Sequence, residues 1–174
     1  MAQATKPFNV GPMAAVAGVL ADLAVEAMKA IVVKVAIVEN GGEISAVSDE
    51  VFTVGLYAGK NILSNRIGFQ VDPSECPIGI ATSSATVGHA LSFGEADAVT
   101  VFANNGGIAD AAATAICNAV HGKEVKMSVE HGLEFSQKFN NLIRGVIIVR
   151  GKYVGSRGKN PQMVEVTGVL RDFS

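Results

Sequence analysis

Three short turns that contain glycine constrain the fold of this chain more than any other feature of its sequence. They are Asn40-Gly41-Gly42, Gly151-Lys152 and Gly158-Lys159-Asn160-Pro161, and each lies between two apolar runs. A connection of a few residues joins antiparallel strands only, since a parallel crossover needs a dozen or more residues. The turns therefore predict α+β architecture with an antiparallel sheet, and they argue against a doubly wound parallel sheet.

Apolar periodicity predicts three helices and nine strands around these turns. Helices are expected over 12–29, 107–120 and 124–139, and strands over 31–38, 43–47, 51–57, 64–71, 78–81, 97–103, 145–149, 152–155 and 163–170. In the first helix seven apolar residues form one stripe, which we expect to be buried. The stripe consists of Met13, Val16, Ala17, Leu20, Leu23, Ala24 and Ala27.

The order helix, strand, turn, strand occurs over 12–57 and again over 107–155, which suggests a duplicated α+β unit. No linker, charge block or low-complexity tract divides the chain. We therefore expect residues 1–174 to form a single domain in which helices back an antiparallel sheet.

Charge and cysteine content exclude several classes of protein. The chain has 14 Lys+Arg against 16 Asp+Glu and no basic stripe, which argues against binding to nucleic acid or to an anionic membrane. Two cysteines, Cys76 and Cys117, cannot form a disulfide framework, so a reducing compartment is expected. The apolar stretch 13–21 is a weak signal-peptide candidate, and a cytoplasmic helix is the favoured interpretation.

Asp110 is one of the few charges in a long uncharged part of the sequence. No charged residue occurs from Cys76 to Gly94, and Asp97 and Asp110 are the only formal charges over 96–122. Thr114 follows Asp110 by one helical turn, so both side chains project from one face and could hold Mg²⁺. The alternative is an Asp in the first helical turn that the helix dipole stabilises, with Thr114 bonded to its own backbone.

Two further segments are candidates for ligand binding. Thr82, Ser83, Ser84 and His89 lie in a hydroxyl-rich segment that suits an anion or a carbonyl-rich ring, although a polar turn explains it equally well. A Ser/His/Asp triad with Asp97 or Asp110 is disfavoured because the sequence lacks GxSxG.

The turn Asn40-Gly41-Gly42-Glu43 is the second candidate. Its glycines would let a flat ligand approach the backbone, with Asn40 and Glu43 contacting the ligand's edge. An ordinary hairpin turn, in which the glycines only satisfy positive φ, is the simpler interpretation of these residues alone.

Four motifs in this order resemble a small uncharacterised family allied to the ApbE-type flavin transferases. They are NVGPMAAVAG at 9–18, VENGGEI at 38–44, GIATSSATVGHALSFGEADAVTVFA at 79–103 and ADAAATAICNAV at 109–120. The resemblance covers nearly the whole chain. It implies tandem T-fold-like units, with an antiparallel sheet backed by helices. The short segment ahead of the first helix is expected to leave an edge strand open, so we also expect the chain to form a homo-oligomer.

The resemblance also implies a ligand and its binding residues. ApbE-type enzymes move FMN from FAD to a protein threonine with the help of Mg²⁺. Asp110 and Thr114 match their metal-binding helix, Gly41, Gly42 and Glu43 match their NxGGD turn, and Thr82 and Ser83 match the start of their TSG segment. The expected partners are therefore a flavin- or nucleotide-like small molecule, FAD or FMN, and Mg²⁺.

The sequence departs from the transferases in ways that bear on activity. It has no DPxTG segment after Ser83, and Glu43 stands where the enzymes carry Asp, so FMN transfer itself is not expected. Few residues precede the first helix, so an edge strand is expected to be missing or supplied by another chain. Two non-enzymatic alternatives are a partner protein in anaerobic sulfur assimilation and a structural oligomer subunit.

Overall fold

The computed structural model describes residues 1–31, 34–86 and 94–166. Its α-helices are α1 (Ala2–Thr5), α2 (Val16–Lys29), α3 (Gly106–Ala119) and α4 (Val125–Ser136). Its strands are β1 (Val35–Asn40), β2 (Glu43–Ser48), β3 (Phe52–Gly55), β4 (Ile67–Val71), β5 (Ile78–Ser83), β6 (Ala98–Ala103), β7 (Ile143–Arg150), β8 (Tyr153–Gly158) and β9 (Gln162–Glu165). Short 3₁₀ turns cover Lys6–Phe8, Pro12–Ala15, Pro73–Glu75 and Gln137–Phe139.

The strands form two antiparallel sheets. One has six strands in the order β1-β2-β5-β6-β7-β8, and the other has three strands in the order β3-β4-β9. All seven strand pairs within the described residues are antiparallel. The α+β class with antiparallel sheets is thus confirmed.

The turn at Gly41 and Gly42 closes the hairpin that the sequence predicts. Asn40 pairs with Glu43 across a two-residue connection, and both glycines have positive φ, +69° and +105°. This backbone matches the twist of the flanking strands and strongly favours glycine. The second predicted turn is also confirmed, since Arg150 pairs with Tyr153 across Gly151 and Lys152.

The third turn does not make a hairpin, so the prediction that each of the three short turns joins antiparallel neighbours is wrong at this position. After β8 the chain crosses from one sheet to the other, and β9 pairs with β4, with Ile67 opposite Glu165. Lys159 donates its N–H to the carbonyl of Arg144, which holds the crossing segment against β7. The predicted strand over 163–170 extends into residues 167–174, which lie outside the described part of the chain.

The six-stranded sheet has a different layer on each face. Helices α2, α3 and α4 pack on one face, over a core that includes Val99, Val101 and Ile116. The three-stranded sheet covers the other face, where Phe69 and Phe102 meet edge to face at 5.0 Å between ring centroids. Within the described residues no single helix is long and apolar enough to cross a membrane. Only the segments Ala2–Phe8 and Pro12–Lys29 together reach that length and composition, and they are bent by 106°.

Helix α2 buries a different face from the one predicted. Met13, Leu20 and Leu23 are exposed. The buried residues of the helix are Gly18, Ala21 and Val25. The cause is the close approach of α2 to α3, because a Cβ atom on Gly18 would lie only 2.3 Å from the carbonyl oxygen of Gly106. Only the face with the smallest side chains permits this contact.

Candidate functional site

A cleft of about 660 Å³ lies where the β1–β2 turn, the three-stranded sheet, β5 and α3 meet. Most of the residues that the sequence singles out line it: Gly41, Gly42, Glu43, Thr82, Ser83, Ser84, Asp110 and Thr114. Apolar side chains complete the walls, including Ile37, Ile44, Phe52, Val54, Phe69 and Ile80. The cleft therefore combines apolar walls with a small group of oxygen-bearing side chains, which is typical of small-molecule sites.

Asp110 is the most buried acidic residue that lines this cleft. Its side chain is on α3, the residue is only 9% exposed, and its Oδ2 accepts a hydrogen bond from the N–H of Gly18 at 3.0 Å. Among the described residues Gly18 is the only hydrogen-bond donor to this carboxylate. Asp110 is the fifth residue of α3, so the alternative of a first-turn Asp that stabilises the helix N-terminus is wrong.

Glu43 is the second acidic side chain of the cleft, placed there because β2 begins at the end of the glycine turn, and the more exposed Glu39 is the third. Burial, and after it the negative charge of Asp110, raise the pKa of Glu43 to about 8. Burial also raises the pKa of Asp110 to about 6, against the opposing effect of the Gly18 N–H. Because burial and the charge of Asp110 oppose ionisation, Glu43 tends to keep its proton near neutral pH unless a cation binds nearby.

The N-terminus of α3 is held by Asp22, a residue that no sequence pattern predicted to be functional. Asp22 of α2 accepts hydrogen bonds from the N–H groups of Gly106 and Gly107 at 2.7 and 2.9 Å. The Oδ1 of Asn105 accepts a third from Ile108 at 2.9 Å. A signal was present, because a helix that opens with two glycines has N–H groups without acceptors and Asp22 is the only charged residue over 7–25 of the sequence.

The hydroxyl-rich segment begins inside a strand rather than after it. Thr82 and Ser83 are the last residues of β5, and the Thr82 and Thr100 hydroxyls are hydrogen-bonded at 2.9 Å across the β5–β6 pair. Ser84 accepts a hydrogen bond from the N–H of Thr86 at 3.0 Å and so forms the start of a turn. His89, a predicted ligand contact, lies outside the described residues.

Asn40 is placed differently from the other predicted residues. Its Nδ2 donates to the carbonyl of Ala17 at 3.2 Å, so the side chain joins the turn to the start of α2. The neighbouring Glu39 accepts a hydrogen bond from the N–H of Gly42 at 2.5 Å. Asn40 thus acts on the geometry of the turn, and it is not among the residues that line the cleft.

A second cavity of about 920 Å³ adjoins the cleft and shares Tyr57 with it. Its acidic residue, Asp97, accepts hydrogen bonds from the Nδ2 of Asn61 at 2.8 Å and from the N–H of Gly151 at 2.7 Å. Asn61 also donates to the carbonyl of Gly151 at 2.7 Å. Because Asp97 is occupied in joining these loops, we assign it a structural role.

The donor set of the cleft suits a hard cation. Asp110, Glu43 and Thr114 supply carboxylate and hydroxyl oxygens, the ligands that Mg²⁺ takes in proteins together with water and substrate phosphate. Nowhere in the described ranges do three or more His, Cys, Asp or Glu residues cluster in a way that could hold a metal ion. A cation here would therefore depend on water or on the ligand for the remaining positions.

Comparison with known proteins agrees with this architecture. A family model described as AbpE bacteria matches residues 1–148. The UPF0280 protein of Methanopyrus kandleri is 45% identical over 170 residues, which cover 97% of this chain and 68% of that protein. The UPF0280 protein of Methanothermobacter thermautotrophicus is 43% identical over 164 residues, covering 94% of this chain and 64% of its own length.

Among solved structures, the apo form of the flavinyl transferase ApbE of Pseudomonas stutzeri has a similar fold. The TM-score is 0.57 at 21% identity, and the match covers 83% of this chain and 46% of the transferase. The chain thus spans about two thirds of the relatives' length and less than half of the transferase. With most of its length matched by the family model and by these relatives, the chain belongs to the UPF0280 family and has an ApbE-like structure.

Proposed function

We propose that the cleft binds a flavin- or nucleotide-like ligand that carries phosphate, together with Mg²⁺. The observation that carries this proposal is the pair of acidic residues Glu43 and Asp110 in a cleft whose other walls are largely apolar. Without a partner, such a pair destabilises the folded chain because burial and mutual repulsion oppose its ionisation. A divalent cation removes this penalty, and its remaining positive charge attracts phosphate.

Each part of the cleft has a role in this proposal. Asp110, Thr114 and Glu43 would hold the cation, and the Gly18 N–H keeps the Asp110 carboxylate oriented. Gly41 and Gly42 carry no side chain, so the ligand could approach the backbone of the turn closely. Phe52 and Val54, two residues apart on β3, offer an apolar surface against which a flat ring could pack.

The fold supports a relation to flavin chemistry but does not assign a reaction. Flavinyl transfer is the activity of the Pseudomonas stutzeri transferase. At 21% identity, the similarity between that enzyme and this chain concerns the fold alone. The missing DPxTG segment argues against FMN transfer by this chain. The proposal is therefore limited to binding, and the tandem T-fold-like organisation likewise stays a prediction.

Calorimetric titration of the wild-type chain and Asp110→Asn with Mg²⁺, and then with FAD or ADP in the presence of Mg²⁺, tests the proposal. We expect Asp110→Asn to weaken Mg²⁺ binding by roughly tenfold or more, because a neutral amide is a poor ligand for a hard cation. Asp49→Asn is the matched control, since Asp49 is exposed and does not line the cleft. Identical isotherms for wild type and Asp110→Asn would refute the cation site.

FAD and ADP separate the two ligand classes. Tighter binding of FAD than of ADP would assign the apolar wall to the flavin ring. Equal binding would indicate that only the nucleotide part is recognised. No binding of either ligand with Mg²⁺ present would overturn the ligand proposal even if the cation binds.

A further inference from the structure

The outer face of α2 is apolar and has no partner among the described residues. It consists of Leu20 and Leu23 on the helix itself, flanked by Met13 in the preceding 3₁₀ turn and by Ile31 just after the helix ends, and all four are between 54% and 74% exposed. Leu20 and Leu23 are three residues apart, so they lie on one face of the helix, opposite Gly18, Ala21 and Val25. Large apolar side chains grouped in this way mark an interaction surface.

The charges on α2 do not oppose such an interaction. Of its three charged residues, Asp22 accepts hydrogen bonds from the start of α3, and Glu26 and Lys29 pair with each other at 2.9 Å. A helix that binds an anionic membrane surface carries Lys and Arg on its polar face, and α2 carries a single Lys. The outer face is therefore suited to a protein partner rather than to lipid.

An open strand edge lies beside this face. In the described part of the chain β1 pairs with β2 alone and forms one end of the six-stranded sheet. Half of its backbone groups consequently point away from the sheet without a strand partner. Since α2 packs evenly over β1 and β2, the apolar face and the open edge belong to one continuous surface.

We propose that this surface, formed by the outer face of α2 and the free edge of β1, binds a second copy of the chain across a two-fold axis. An antiparallel strand edge is self-complementary, so β1 can pair with its own copy. A two-fold axis perpendicular to the sheet keeps both α2 helices on the same side. Neighbouring strands lie about 4.8 Å apart, so a helix centred between β1 and β2 would lie about 4.8 Å from the two-fold axis. The two copies of α2 would then be about 10 Å apart, which is the distance at which helices pack. One symmetric contact would thus bury both the apolar outer face of α2 and the free edge of β1. This proposal does not depend on the ligand proposed for the cleft.

The experiment compares the mass in solution of the wild-type chain, the double variant Leu20→Glu/Leu23→Glu and the control Met127→Glu, by sedimentation velocity over a range of concentrations. Both leucines are exposed, so the double variant is expected to fold. Met127 is an equally exposed apolar residue on a different helix, 66% exposed on α4. The wild type and Met127→Glu are expected to sediment as two chains of 17.9 kDa, and the double variant as one.

Hydrogen exchange tests the strand contact separately. Every second amide over 35–40 should exchange slowly in the wild-type dimer and at least tenfold faster in the double variant. A wild-type monomer at all concentrations would overturn the proposal, as would a dimer that the leucine substitutions leave intact. If the double variant does not fold, the wild type alone still tests the strand pairing. Fast exchange of all outward amides of β1 would refute the pairing, and slow exchange of these amides would support it. Binding of the wild type to vesicles with anionic headgroups, lost in the double variant, would instead assign the face to a membrane.

Discussion

At the scale of single residues, Glu43 and Asp110 have the strongest effect on how the stability of the folded chain depends on pH. Their pKa values are raised from 4.5 to about 8 and from 3.8 to about 6. The folded state therefore binds their protons more tightly than the unfolded chain does. By linkage, stability is highest below the unfolded pKa values and falls as the pH rises through about 4 to 8.

Replacement of Glu43 by Gln should remove most of this pH dependence. In the absence of divalent cations, we expect the Tm of the wild type to fall between pH 5 and pH 8 and that of Glu43→Gln to change less. At pH 8 the variant should be more stable by roughly 1 kcal/mol or more, about 2–4 °C for a chain of this length. Glu134→Gln, an exposed change on α4, serves as control in thermal melts. A variant whose melting curve follows the wild type at every pH would show that Glu43 ionises freely.

The affinity for Mg²⁺ should depend on pH through the same residues. Since a cation competes with protons for Glu43 and Asp110, Mg²⁺ binding should strengthen from pH 6 to pH 8 and release protons. Calorimetry in two buffers with different ionisation heats measures the protons released. Proton release that is unchanged in Glu43→Gln would exclude this residue from the site.

The acidic pair also shows what the sequence reveals of the site and what it does not. The uncharged stretch around Asp110 and the glycine turn before Glu43 predicted both residues separately, because each pattern is local. Their meeting in one cleft requires β2 and α3 to converge, which neither pattern contains. The binding roles of Gly41, Gly42, Glu43, Thr82, Ser83, Ser84, His89, Asp110 and Thr114 stay predictions.

The contact between α2 and α3 is the main feature at the scale of secondary structure elements. It brings the backbone at Gly18 against that at Gly106, and it lets Asp22 reach the N-terminus of α3. The apolar periodicity of the sequence predicted both helices, but it predicted the wrong buried face for α2. The reason is that the prediction followed the positions of the apolar side chains and took no account of Gly18. The distance between two crossing helices depends on the smallest residues at their contact. The pattern of large apolar residues therefore does not predict it.

Substitution of Gly18 by Ala should test this contact directly. The added Cβ would lie 2.3 Å from the Gly106 oxygen, and backbone atoms cannot easily yield, so we expect a loss of about 2 kcal/mol or more. Gly11→Ala is the matched control, because a Cβ there has no heavy atom within 4 Å. Chemical denaturation measures both. Equal stability of the two variants would mean that the helices are farther apart than described.

Removal of the Asp22 carboxylate should destabilise the chain without affecting the cleft directly. Asp22→Ala leaves the N–H groups of Gly106 and Gly107 without their acceptor, at an expected cost of about 1–2 kcal/mol. Thermal melts alongside Glu26→Ala, which alters an exposed acid on the same helix, check the effect. A melting temperature equal to that of Glu26→Ala would contradict the capping role.

The two layers on either face of the large sheet define the molecule as a whole. Hairpins were predictable, because short turns specify neighbouring strands. The pairing of β9 with β4 was not, since it joins segments almost a hundred residues apart through a crossing from one sheet to the other. Such pairing depends on which apolar faces remain uncovered once the first sheet has formed, and that is a property of the assembled layers.

The two layers should unfold together. Phe69 of the small sheet packs against Phe102 of the large sheet, and both side chains are fully buried. Phe69→Ala is expected to cost about 3–5 kcal/mol, and the double-mutant cycle with Phe102→Ala should give a coupling of about 0.5–1.5 kcal/mol. Calorimetry should show one transition in the wild type. Two separate transitions, or additive substitutions, would show that the small sheet is an independent unit.

The acidic pair has a consequence for how sequences of this family change over time. If Glu43 and Asp110 lower stability until a cation binds, any lineage that lost the ligand would gain stability by replacing either residue with a neutral one. Substitutions at these two positions would then accumulate sooner than substitutions that disrupt the fold. In family members that no longer bind a cation, at least one of the two acids is therefore expected to be replaced by a neutral residue, and the joint presence of both would mark the members that still bind.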